Sequence, residues 1–421
     1  MPDFPKILLV AQNASSLFGG EAFLPLHYYR VLRERGYPVS LIAHRRNYKN
    51  LQDFFKGDLQ DIHFIEDTIW HRSIWKIGKV FPGRLGEMVF SNLLNTVNEL
   101  FQRKLVRELV AKGRADIIHQ PIPVSPLAPS WMFGFGVPVI IGPMNGGMIY
   151  PKGYEDYESR SARLFVRFAR QVARGLNRII PGKRRAAALL VANKRTENAL
   201  PLDDHPNVIT LVENGVDLST WAPVERKTRD LNQPFRLVFM GRLVGWKAIE
   251  ITLEAIAVAK SRGADVVLDI LGDGTERKSL EALRDTRCLT SDVTFHGFKP
   301  QTECSSYLNQ ADALILNSIW ECGGAVVLEA MSLGLPVIGP DWGGPADYLD
   351  PSCGILVHPE PRENFAERLA DAIISLAEDP NRCRSMGQAG VQKIRAQFDW
   401  QRKVDRIIEI YESVVTSKSS H

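Results

Sequence analysis

The sequence predicts two doubly wound α/β domains, each built on a parallel sheet. Three observations point there. The chain has 421 residues, more than one hydrophobic core holds, since cores stop growing near ~250–300 residues. Its short apolar segments are rich in Val, Ile and Leu rather than alternating, as in strands buried on both faces of a parallel sheet. Helical segments separate them, and the βα alternation runs twice along the chain.

In the first half, "KILLVAQN", "PVSLIAHRR", "ADIIHQ", "VPVIIGPM" and "NVITLVENG" read as strands. In the second half, "FRLVFMGRL", "DVVLDILGDG", "DVTFHGF", "ALILNS", "PVIGPD" and "GILVH" do so. The helical segment "AIEITLEAIAVAKSRG" ends at a glycine, a common helix stop. The halves part at the polar, turn-rich "NGVDLSTWAPVERKTRDLNQPF". The expected organisation is an N-terminal domain over 1–217, a linker over 218–234, a second domain over 235–395 and a C-terminal helix over 396–421. That last segment is amphipathic, with Val404, Ile407, Ile408, Ile410 and Tyr411 on one face.

A net charge of +4 is slight for this length and by itself says nothing about nucleic acid; no nucleic-acid partner is expected. The five cysteines are odd in number, lie far apart and all fall in the second half. That is neither a disulfide framework nor a metal site, and it suits a reducing cytosol. The nine histidines show no metal-ligand spacing. The start, "MPDFPKILLV", does not read as a signal peptide, so a cytoplasmic location is expected. Residues 117–151 carry no Asp, Glu, Lys or Arg, yet seven prolines rule out a lipid-exposed helix. They read as two buried strands joined by a Pro-rich loop.

Open α/β sheets bind ligands at the carboxyl ends of their strands. Several such loops carry chemistry. "GRLVGWK" offers Gly241 for a backbone turn and Arg242 and Lys247 as cations suited to a diphosphate. "LGDG" places Gly272 in a tight turn, for which a plain strand-to-helix connection is the alternative reading. "SIWECGGAVVLEAMSLGL" sets Glu321 before a helix, Gly323 and Gly324 at its start, and Glu329 inside an apolar helix, where a buried carboxylate needs a partner. Gly19 and Gly20, after the first strand, allow close approach to a phosphate. His119 ends a strand, where it either meets a substrate hydroxyl or caps the sheet.

Taken in order, "NGVD", "GRLVGWK", "LGDG", the E-x7-E pair Glu321 and Glu329, and "GGPAD" resemble the family 4 glycosyltransferases. The resemblance covers nearly the whole chain and is strongest over 214–348. It implies the GT-B fold: two Rossmann-like domains facing across a cleft, with the last helix crossing back to the N-terminal domain. It implies a retaining transfer of a sugar from a nucleotide-diphosphate sugar to a glycan or lipid-linked acceptor, in cell-surface polysaccharide or glycolipid synthesis. By this resemblance Arg242 and Lys247 hold the donor diphosphate, with Gly241 and Gly272 shaping their surroundings. Glu329 binds ribose hydroxyls, Glu321 contacts the donor sugar as a catalytic residue, and Gly323 and Gly324 seat the sugar or phosphate. Gly20 lies near the diphosphate, and His119 matches the family's active-site His. No metal and no cofactor beyond the nucleotide sugar are expected, because the cations do a metal's charge work. Two departures stand out: the family often has a proline where this chain has Asn317, and an aromatic where it has Cys322-Gly323. A nucleotide-sugar epimerase, a phosphorylase and a non-catalytic nucleotide-sugar-binding protein share this architecture and are the rival readings.

One segment suits an acceptor carried on a membrane. In "RSARLFVRFARQVARGLNR", Arg160, Arg163, Arg167, Arg170, Arg174 and Arg178 form a helix stripe. Leu164, Phe168, Val172, Leu176 and Ile179 lie on a neighbouring face. Upstream, "WHRSIWKIGKVFPGR" adds Trp70, Trp75 and Phe81. Either the helix packs on its domain with a solvated basic face, or it rests on an anionic membrane. Loose, peripheral association with the inner face of the plasma membrane is the expectation.

Overall fold

The structure is a computed structural model and describes residues 4–16, 20–80, 84–157, 160–202, 204–222 and 228–419. Phe81 and Gly19 lie outside the described residues, as do the side chains of Arg160, Arg163, Leu164 and Arg167.

The chain divides into two compact units. The first comprises 1–147, 165–214 and 403–421; the second comprises 148–164 and 215–402. The sequence-based division assigned 148–164 to the first domain, whereas the structure groups it with the second. The C-terminal helix Trp400–Ser419 belongs to the first unit from Lys403 onward.

The first unit holds seven strands: β1 (Ile7–Val10), β2 (Val39–His44), β3 (Ile62–Ile65), β4 (Ile117–Gln120), β5 (Val139–Met144), β6 (Ala188–Val191) and β7 (Val208–Thr210). Their order is β3-β2-β1-β4-β5-β6-β7, and every pair is parallel. The second unit holds β8 (Phe235–Met240), β9 (Val266–Leu271), β10 (Val293–Gly297), β11 (Ala313–Ile315), β12 (Val337–Pro340) and β13 (Gly354–Val357). Their order is β10-β9-β8-β11-β12-β13, again all parallel. The predicted pair of doubly wound domains is the architecture observed. Ile7, Leu8, Leu9 and Val10 are all fully buried, which is why the strand carries an unbroken apolar run rather than an alternating one.

Strands β3 and β6 escaped the sequence reading. "IHFI" is a short edge strand with a histidine in it, and "ALLV" follows alanines that favour helix. The charge-free 117–151 stretch contains β4 and β5, as expected, and its intervening loop is held by buried polar groups. Gln120 Nε2 donates to Glu99 (3.1 Å), the Trp131 amide donates to the other Glu99 oxygen (2.7 Å), and Ser130 donates to Gln120 (2.6 Å). Lys183 donates to the Pro126 carbonyl. Among the described residues no helix is long and apolar enough to cross a membrane.

In each sheet the strand order reverses once, between β1 and β4 and between β8 and β11. Such switch points leave a crevice at the carboxyl ends of the flanking strands. The loops after β8 and β11 are those carrying Arg242, Lys247, Glu321 and the Gly-Gly pair.

Candidate active site

Within the second unit, backbone contacts between neighbouring loops set the site. The β8 loop lies against the β9 loop: the Gly241 amide donates to Leu271 O (2.9 Å) and the Leu243 amide to Asp273 O (2.9 Å). A Cβ on Gly272 would stand 1.8 Å from the Gly241 carbonyl oxygen, and one on Gly274 would stand 2.2 Å from that of Leu243. Both glycines of "LGDG" are therefore required by the loop that presents Arg242 and Lys247. The β11 loop is built the same way. The Gly344 amide donates to Glu321 O (2.7 Å). A Cβ there would stand 1.9 Å from Gly323 O, and one on Gly343 would stand 2.5 Å from Glu321 O. Gly324 starts the helix Ala325–Ser332 in a left-handed conformation, φ 93°, which glycine adopts at little cost.

These loops bring four predicted side chains to the ends of β8 and β11. Lys247 and Glu321 form an ion pair, both largely buried. Arg242 is exposed, with its guanidinium 5.8 Å from the Trp246 ring centre and no carboxylate partner among the described residues. Glu329 is half-buried in the apolar helix, and its carboxylate has no hydrogen-bond partner among the described residues. Burial pushes its pKa up to about 7. A carboxylate left in that condition gains from a ligand that donates hydrogen bonds.

The first unit treats its predicted residue differently. His119 is fully buried. Its Nε2 donates to the Gly142 carbonyl (2.6 Å), and its Nδ1 accepts from the Tyr411 hydroxyl (2.7 Å). Burial lowers its pKa to about 4, so it stays neutral. Both ring nitrogens are committed, and the expectation that His119 acts on substrate is corrected: it fastens the C-terminal helix to β4 and β5. Gly20 is exposed with φ 53° and nothing within 4 Å of where a Cβ would lie; backbone conformation, not crowding, favours glycine there.

Among the described residues one cluster has metal-ligand atoms close together: His44, Asp67 and His71, within 4.8 Å of one another. Its hydrogen bonding does not suit a metal. His44 Nδ1 accepts from the Arg46 amide (3.2 Å), which places the proton on Nε2. His71 Nδ1 accepts from the Thr68 amide (3.1 Å), and Nε2 faces Asn98 Oδ1 (2.8 Å). No ring nitrogen of either histidine offers a lone pair free for an ion.

Sequence reasoning missed a strap over the second unit. Residues 148–157 run along the loops just described. Tyr150 packs on Trp320 with ring centres 4.5 Å apart, immediately before Glu321. Tyr157 donates to Glu250 and flanks Gly245, where a Cβ would lie 3.6 Å from its ring. Arg362 binds Asp156 (2.7 Å), and Tyr154 donates to Pro359 O (3.0 Å). The available signal was the tyrosine spacing in "IYPKGYEDYE", which suits a surface-packing segment rather than a flexible link.

Comparison with known proteins follows the same loops. Residues 224–393 match the family model for glycosyl transferases group 1. The chain is 29% identical over 205 residues to the glycogen synthase of Mycobacterium tuberculosis (strain CDC 1551 / Oshkosh), 48% of each chain. It thus spans about half the length of that relative. Over 357 residues it is 28% identical to the D-inositol 3-phosphate glycosyltransferase of Arthrobacter sp. (strain FB24), 79% of this chain and 78% of that one. Its fold is similar to that of HepE from Anabaena, solved with UDP and glucose, at TM-score 0.63 and 17% identity, covering 97% of this chain and 100% of that one. The fold is GT-B.

Proposed function

We propose that this glycosyltransferase moves a sugar from a nucleotide-diphosphate sugar to a hydroxyl of a glycan or lipid-linked acceptor. The observation that carries this reading is the group of charges at the β8–β11 switch point. Among the described residues Arg242 and Glu329 have no hydrogen-bond or ion-pair partner, and Lys247 and Glu321 pair with each other. A diphosphate between Arg242 and Lys247 gives both cations an anion, Arg as a two-point fork and Lys as a point charge. Glu321, released from Lys247, accepts hydrogen bonds from the sugar. Glu329 accepts them from ribose.

The chemistry follows from where charge develops. Breaking the sugar–phosphate bond places negative charge on the leaving diphosphate, and Arg242 and Lys247 stabilise it without a metal. The N-terminal end of helix Ala325–Ser332 adds its positive dipole end to that field. Transfer proceeds with retention, the acceptor attacking from the leaving-group face. UDP is the first nucleotide to test, because UDP is named in solved structures of similar fold.

A membrane-borne acceptor, in cell-surface polysaccharide or glycolipid synthesis, is the finer part of the reading. In helix Arg160–Ile179 the described residues of the apolar stripe, Phe168, Val172, Leu176 and Ile179, are all exposed, Ile179 by 79%. Arg174 and Arg178 are exposed on the same helix. Helix Ile69–Val80 likewise exposes Ile69, Trp70, Trp75 and Ile77 beside Arg72 and Lys76. Exposed apolar residues flanked by cations suit an anionic bilayer surface on the cytoplasmic side. Co-sedimentation with anionic liposomes tests this: binding that weakens with salt supports it, and no binding at low salt refutes it. The transfer reaction itself is tested by assaying product formation across a panel of nucleotide sugars.

A further inference from the structure

Lys247 is held from both sides by the segment that leads to its ion-pair partner. Before it, Trp246 O accepts from the Ile319 amide (3.0 Å). After it, Ala248 O accepts from the side-chain amide of Asn317 (2.6 Å). Two residues beyond Ile319 comes Glu321, the partner of Lys247. Asn317 is fully buried, and its other side-chain atom, Oδ1, accepts from the Thr252 hydroxyl (2.7 Å).

The residue so gripped is in an unusual conformation. Ala248 is fully buried with φ 50° and ψ 40°, left-handed backbone that an L-residue with a Cβ disfavours. It is the residue that turns the chain from the Lys247 loop into helix Ile249–Ser261. A proline at 317 could supply neither of the hydrogen bonds that Asn317 makes.

We propose that Asn317 is a positioning residue: it locks the left-handed turn at Ala248 and so fixes the Lys247 ammonium where a diphosphate meets it. Asn317 touches no ligand. It acts through Lys247, and the inference rests on the donor-binding reading given above. Because Asn317 follows β11 and its side-chain amide reaches Ala248 O, the clamp couples the loop of phosphate cations to the loop of carboxylates.

The test is calorimetric titration of the full chain with UDP and, in parallel, GDP. Asn317→Asp keeps the acceptor for Thr252 but loses the donor to Ala248 O; Asn317→Ala loses both. Each is expected to weaken nucleotide binding about tenfold, since misplacing a binding group by about an ångström costs ten- to a hundredfold. Thr252→Val also removes one buried hydrogen bond but leaves the Ala248 contact, and it is expected to bind within twofold of wild type. Melting curves show whether each variant is folded. In a Lys247→Ala background the Asn317 substitutions are expected to cost less than twofold, because coupled residues do not add. Unchanged affinity in Asn317→Asp, or effects that add to those of Lys247→Ala, would overturn the proposal while leaving the donor site intact. A wild-type protein that binds neither nucleotide removes both readings.

Discussion

Two strand ends, one in each sheet, are finished in opposite ways. At the end of β4, in the first unit, polar groups satisfy one another. His119 spends both ring nitrogens on Gly142 and Tyr411, and Gln120 spends its amide on Glu99 and Ser130. In the second unit, Arg242 and Glu329 have no hydrogen-bond or ion-pair partner among the described residues, and the Lys247 ammonium pairs with Glu321. Buried polar groups are costly unless paired. A paired cluster therefore needs no ligand, whereas the half-buried Glu329 carboxylate and the solvent-facing Arg242 stay open to one. The difference teaches that a polar residue at a strand end is not evidence of function until its partners are known.

The largest expected effect lies on the unpaired side. Lys247→Ala, Arg242→Ala and Glu321→Ala should each cut sugar transfer by about a hundredfold or more, roughly 3 kcal/mol of transition-state stabilisation. Their melting temperatures should stay within a few degrees of wild type. Initial rates with saturating acceptor and thermal melts check both halves, and near-normal turnover in all three would break the comparison.

Next comes Gly344→Ala. Its new methyl would meet the Gly323 carbonyl at 1.9 Å, so the backbone between Glu321 and Gly323 must move. Overpacking of this kind costs about 1–3 kcal/mol of stability, and donor affinity should fall along with it. A variant with unaltered nucleotide affinity would show that the glycine contact does not hold the carboxylate loop.

The paired side predicts the reverse pattern. His119→Ala strands the Tyr411 hydroxyl and the Gly142 carbonyl, and should destabilise the protein by about 2–4 kcal/mol. Turnover per folded molecule should change only a few-fold. A hundredfold loss of turnover at unchanged melting temperature would restore the histidine to the chemistry.

The smallest effects are in pH, and they run in opposite directions. His119 has a folded pKa of about 4 against an unfolded value near 6.5. The unfolded chain binds the extra proton between these values, so His119 costs stability as pH falls from about 6.5 toward 4. Glu329 has a folded pKa of about 7 against about 4.5 unfolded. There the folded state binds the extra proton, so stability is lost as pH rises from about 4.5 to 7. Melts at stepped pH should show His119→Gln flattening the acid slope and Glu329→Gln flattening the slope up to neutrality. Because ribose hydroxyls favour the ionised carboxylate, nucleotide affinity should rise severalfold between pH 6 and 7.5 in wild type and stay flat in Glu329→Gln.

Much of this was legible in the sequence, for physical reasons. Parallel strands buried on both faces leave continuous Val/Ile/Leu runs, so β8 to β13 could be read directly. Cations and glycines after those runs marked the site, because open sheets place ligands at strand ends. What escaped depended on distant contacts. The partner of His119 is Tyr411, 292 positions away, and no local pattern announces it. The strap at 148–157 belongs to the second unit although its sequence precedes 165–214, which belong to the first. Asn317 read as a departure from a pattern; only its bonds to Ala248 and Thr252 show what it does.

The central claim is that the charges at the β8–β11 switch point hold a nucleotide diphosphate. Calorimetric titration of UDP into wild type and into the Arg242→Ala/Lys247→Ala double variant tests it most directly. Saturable binding to wild type, weakened at least a hundredfold in a double variant that melts normally, is the result this account predicts. Equal binding by the two proteins would contradict it.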